Sequence, residues 1–178
     1  MKLAAIIACL AILSWNAMGA DLREYPTMLL KGGILDVKFV VGDNADIADA
    51  IGAVDIATSL QFYTKQRLEG AATLASEVAD IEKSNLIVVG GPCANPIAAK
   101  LMHFPKNCMG NFTTGKAMIR LFQQSRGVAI VVAGATALDT RRAARVLADY
   151  TQYQDNFQGD YVEVTGTSSK DVNVKRVG

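Results

Sequence analysis

The segment that most constrains this chain runs from Ile81 to Cys108, IEKSNLIVVGGPCANPIAAKLMHFPKNC. Leu86-Ile87-Val88-Val89 is apolar at successive positions, the pattern of a strand covered on both faces. Gly90-Gly91-Pro92 closes it as a turn. A short helix is then expected near Asn95-Pro96, carrying Ile97, Leu101 and Met102, because proline is well tolerated in a first turn. Cys93 and Cys108 flank that helix. The segment therefore combines a central strand, a tight turn and two cysteines, and what the cysteines do depends on the compartment.

Residues 1–20 set the compartment. Lys2 supplies a positive charge, Leu3 to Trp15 form an apolar run, and Ala17-Met18-Gly19-Ala20 supplies small residues, which together read as a signal peptide cleaved after Gly19 or Ala20. The alternative is a retained anchor, but the run is shorter than the ~20 residues needed to cross a bilayer. No later run is long enough to span a membrane, so the exported chain is expected to be extracellular, either soluble outside the membrane or held at the cell surface by a partner. Residues 21–178 make one domain of ordinary size. With 18 basic and 17 acidic residues in the whole sequence and Lys2 removed with the leader, the exported part is close to neutral. Neutrality argues against nucleic acid and against an electrostatic hold on anionic lipid.

Losing Cys9 with the leader leaves Cys93 and Cys108. In an oxidising compartment they are most simply a structural bridge, which contributes about 3 kcal/mol in the chain-entropy account of a loop this long. A metal pair or redox dithiol is the competing reading. The spacing is far from CxxC, and the sole histidine, His103, lies in the same loop without clustered ligand candidates.

Along the rest of the chain, Val37 to Val41 reads as a strand closed by Gly42-Asp43-Asn44. Ile47, Ala50, Ile51, Val54 and Ala57 then recur at helical steps as one apolar stripe, with Asp43 as N-cap and Asp46 and Asp49 in the first turns. Residues 62–80 carry no firm assignment. Ala117–Phe122 and Val128–Val132 are strand candidates turned into a hairpin by Gln-Ser-Arg-Gly, which makes the sheet mixed. Thr136 to Asp139 resembles a capping box opening a helix to about Tyr150, with Ala143, Val146, Leu147 and Tyr150 inward and Arg141, Arg142 and Arg145 outward. Asp160–Thr165 alternates as a strand, and Val172–Val177 adds a short edge strand. The expected class is α/β: three layers, a mixed and mainly parallel sheet with helices on both faces, and one disulfide.

Chemistry is sparse. The turn at Gly90-Gly91-Pro92 follows a strand, where open α/β sheets bind ligands, yet it matches neither GxGxxG nor a P-loop, and Pro92 removes a backbone donor. A tight turn that aims Cys93 at Cys108 explains the same residues. Asp43, Asp46 and Asp49 raise a calcium site but fit capping better. Asp139-Thr140-Arg141-Arg142 raises an anion grip, set against a solvated charged face. No nucleophile arrangement assembles, and one histidine supports no acid-base catalysis. The expectation is no enzyme, no cofactor and no metal. Asn111-Phe112-Thr113 is a glycosylation sequon in an exported chain. Gly42, Asp43, Gly90, Gly91 and Gly134 mark the loops at one end of the sheet as candidate ligand or interface loops.

Four blocks carry a resemblance: VVGDNADIADAIGAVDIATSLQ from Val40, SNLIVVGGPCANPIAAKLM from Ser84, NFTTGKAMIRLF from Asn111, and VAIVVAGATALDTRRAARVLADY from Val128, with DYVEVTGTS behind them. In this order the chain resembles the S-layer proteins of archaea, which tile the cell surface as a two-dimensional lattice. More distantly, its βα rhythm is similar to bacterial cell-wall-binding repeats. The resemblance implies a short, single-module surface structural protein, with Cys93 and Cys108 matching the family's paired cysteines and no catalytic residues to carry over. The implied partners are the chain itself or a larger S-layer protein, with cell-wall glycan as a further one. A lattice needs contacts that do not close into a ring, and the C-terminal strand is one candidate for pairing neighbours by strand addition. The alternative function is a secreted module binding a wall polymer or small ligand.

Overall fold

The computed structural model describes residues 19–109, 112–168 and 171–177. The expected leader therefore lies outside the described residues except for Gly19 and Ala20, and Asn111 lies outside them as well. A small antiparallel pair, β1 (Leu30–Lys31) and β2 (Ile34–Leu35), precedes the main body. The main sheet has seven strands: β3 (Lys38–Val41), β4 (Ala72–Leu74), β5 (Leu86–Val89), β6 (Lys116–Gln123), β7 (Val128–Gly134), β8 (Tyr161–Gly166) and β9 (Val172–Arg176). Their spatial order is β4-β3-β5-β7-β6-β8-β9. The β4 to β7 half is parallel and the β6, β8, β9 half is antiparallel, joined by the β6–β7 hairpin. The mixed sheet, the hairpin and the α/β class agree with the sequence.

Register assigns the two faces. Phe39, Ile87 and Ile130 stand side by side, as do Val41, Val89 and Val132, and these residues meet the two long helices, α1 (Ile47–Thr64) and α3 (Ala137–Ala148). Val40, Val88 and Val131 point the other way, into a second cluster with Ile97, Ala98 and Leu101 of the short helix α2 (Pro96–Leu101). Successive strand residues face opposite sides, so burial of all of β5 and β7 requires cover above and below. The thick cover is α1 with α3, and the thin cover is α2 with its flanking loops.

Three local expectations are corrected, and one unassigned stretch is filled in. The cap of α1 is Asp46, whose Oδ1 accepts from the Ala48 N–H at 2.8 Å; Asp43 lies outside the helix. The buried face of α1 is Ala48, Asp49, Gly52, Ala53, Ile56 and Leu60, while Ile47, Ala50 and Val54 are exposed. The expected inner stripe thus faces largely outward. Small residues decide this, because α1 packs closely on α3: a Cβ on Gly52 would stand 2.9 Å from that of Ala144. In α3, Arg142 is buried rather than solvated, paired with Asp139 at 2.7 Å and donating from Nε to the Ser168 carbonyl. Within residues 62–80, α1 runs on to Thr64, ends at Lys65 in the left-handed conformation (φ 58°), and is followed by the edge strand β4.

Candidate functional site

The carboxyl ends of β3, β5 and β7 bring the sequence-predicted loops together. Gly42 follows β3, Gly90 and Gly91 follow β5, and Gly134 closes β7. Close backbone approach explains two of these glycines. A Cβ on Gly42 would fall 1.9 Å from the Ala94 carbonyl oxygen, and one on Gly134 would fall 2.5 Å from the Thr140 nitrogen. Gly91 lies against Gly134 across the same end, and the Gly90 N–H donates to the Val132 carbonyl at 3.0 Å. Asp43 points elsewhere: its carboxylate accepts from the Ser76 N–H at 3.1 Å and from the Ser76 hydroxyl, tying the turn after β3 to the segment behind β4.

Two residues at this end carry more than the sequence reading gave them. Asn95 is fully buried; its Nδ2 donates to the Val40 and Val89 carbonyls at 3.1 Å each, and its Oδ1 accepts from the Ile97 and Ala98 N–H groups. One side chain therefore caps α2 and latches β3 to β5. Its position before Pro96 was the visible signal. Asp49 is 2 % exposed, and its Oδ1 has no hydrogen-bond partner. Burial, with Asp46 adding repulsion and the Thr140 hydroxyl offsetting part of it, pushes its carboxyl up to about 6. Its place between Ala48 and Gly52 on the true inner face would have marked it.

The Cys93–Cys108 disulfide, with Cα atoms 4.8 Å apart, lies over this end. Beneath it, Asp46, Asp49, Thr136 and Thr140 face Cys93 and Phe112 around a crevice of about 110 Å³. That space holds a few water molecules, well short of the ~300 Å³ at which small-molecule pockets begin. Asp43, Asp46 and Asp49 do not converge, and no group of three or more His, Cys, Asp or Glu side chains able to hold a metal occurs among the described residues. His103 is exposed just past α2, with φ 59°. The end of the sheet is thus a braced junction, closed by glycines that admit neighbouring backbone and by a buried carboxylate with a raised affinity for protons.

The resemblance read from the sequence is borne out over residues 70–151, which match the profile described as S-layer like family, outer domain. The match runs from just before β4 to just after α3, and it includes the disulfide and the β6–β7 hairpin. The match supports a surface structural module of the S-layer type. No curated protein is significantly similar to the chain. No helix among the described residues is long and apolar enough to cross a membrane.

Proposed function

We propose, from the match of residues 70–151 to the S-layer like family, outer domain, that this chain is an exported structural protein contributing to or docking on a surface lattice. The family match is the observation that carries this reading. The partner is another copy of the chain or a larger S-layer protein, and residues 21–178 act as one module behind a cleaved leader. A glycan on Asn111 belongs to this reading, and the residues that precede it, Asn107, Cys108 and Met109, are exposed.

Two surfaces support lateral contacts. Helix α1 is apolar on its outward side too, where Ile47 is 78 % exposed, Val54 61 % and Phe62 63 %. Isolated exposed hydrophobes are ordinary, but a row of them at helical steps marks a contact surface. The second surface is β9, which among the described strands pairs only with β8; Asn156 Nδ2 donates to its Val174 carbonyl at 3.0 Å, covering its outer edge at one point. Helix face and sheet edge point in different directions, and heterologous contacts that do not close propagate. Lys175 and Arg176 on β9 oppose promiscuous edge pairing, which suits a contact with one defined partner.

The double variant I47E/V54E tests the helix surface. Both positions are exposed, so the fold and its melting temperature should be retained while self-association weakens at least about tenfold, the loss of two apolar anchors at roughly 1 kcal/mol each. Unchanged association of a well-folded variant would remove α1 from the contact.

The alternative, a module binding a wall polymer or small ligand through the sheet-end loops, has less support because the crevice there is so small.

A further inference from the structure

On the outer side of α3 lies a cleft of about 180 Å³ lined by Leu138, Arg141, Arg142, Arg145, Thr167 and Ser168. Among the described residues its wall carries three guanidinium groups and no carboxylate. Arg142 is locked in place by Asp139 at 2.7 Å and by the Ser168 carbonyl at 3.2 Å. Arg145 is held only loosely, its Nε 3.7 Å from Asp55. Arg141 makes no ion pair with any described residue, and its Nε is shielded from solvent without a hydrogen-bond partner. Asp171, beyond the lining residues Thr167 and Ser168, accepts from the Thr167 hydroxyl at 2.9 Å and keeps its negative charge beside the cleft.

A partly buried guanidinium without a counter-charge is costly, and the planar fork of arginine fits oxyanions. Asp139 and Asp55 pair with Arg142 and Arg145, so the guanidinium without a carboxylate partner among the described residues is that of Arg141, which lines a cavity that accommodates one compact anionic group. Leu138, exposed at the rim, adds an apolar surface for whatever carries that group. The geometry points to an oxyanion-binding site in this cleft, taking a single sulfate-like or carboxylate group either as a free anion or as the charged substituent of a sugar. This site is separate from the sheet-end crevice and does not rest on the lattice reading.

The test is titration of the oxidised full-length chain with sodium sulfate, glucose 6-sulfate and glucuronate. Amide chemical shifts of Leu138, Arg141 and Thr167 are followed, with sodium chloride at matched ionic strength as control. Saturable shifts at those residues with sulfate but not chloride are expected, in the millimolar range usual for a single exposed anion site. R141Q should weaken binding about tenfold, the loss of one charge-assisted contact. R145Q, altered at a half-exposed side chain, should weaken it less and guards against a folding defect in the first variant. Tighter binding of either sugar than of sulfate would support the site and identify its occupant as an anionic sugar; equal or weaker binding would support it with a free anion. Shifts that do not saturate, that chloride reproduces, or that survive in both variants would overturn the proposal.

Discussion

Asp49 sits where a carboxylate is expensive: inside the contact between α1 and the sheet, below Gly90, with one oxygen unpartnered. Its carboxyl, raised to about 6 in the fold, lies near 3.9 in an unfolded chain. The folded state therefore binds this proton more tightly. The stability contributed by Asp49 is fully present below the unfolded value and is lost as pH rises through about 6. Thermal or urea unfolding at pH 5 and pH 7 should show the chain gaining stability on acidification over that interval. D49N should remove that increment and stabilise the protein at pH 7 on the order of 1 kcal/mol. Destabilisation by D49N at pH 7, or an unchanged pH slope, would show the carboxylate to be satisfied in a way the fold does not display. Asp49 also shows why the site was only partly legible. The glycines could be placed because each follows a strand, but recognising a buried aspartate required knowing which face of α1 points inward.

That face is the main failure of periodicity at the level of elements. Because α1 is apolar on nearly every side, a 3.6-residue repeat does not select one stripe, and the larger residues Ile47, Ile51 and Val54 make the stronger pattern. Distance decides instead: Gly52 and Ala53 let α1 approach α3, which larger side chains would prevent. Strand β4 was hidden for a related reason, being three residues long at an edge with Ala72 and Leu74 exposed. By contrast β5, β7, the β6–β7 hairpin and the capping box of α3 were all legible, since each is fixed by local pattern alone. The Thr136–Asp139 box closes as expected, with the Thr136 hydroxyl accepting from the Asp139 N–H at 3.2 Å. The disulfide acts at this scale too, tying the turn after β5 to the loop beyond α2 across 15 positions. C93S/C108S should lower stability by about 3 kcal/mol in the chain-entropy account. Faster amide exchange should concentrate in residues 93–109, while β5 and β7 stay protected. An unchanged melting temperature would mean that the loop is held by its packing alone.

For the whole molecule, one continuous sheet joins the family-matched segment to elements on either side of it, β3 and α1 before and β8 and β9 after. The parallel half provides the braced end and the antiparallel half ends in the edge strand β9. A protein in a surface layer meets its neighbours from a fixed scaffold, and here both the outward stripe of α1 and the β9 edge rest on that sheet. On the proposed reading these surfaces drive association into an extended layer rather than a closed oligomer. The direct measurement is sedimentation of the oxidised protein over a concentration series, with electron microscopy of the pellet. Concentration-dependent growth without a limiting size and ordered sheets in the images are expected, formed by the chain alone or on addition of a larger S-layer protein. A strict monomer at every concentration, with and without that partner, would contradict it.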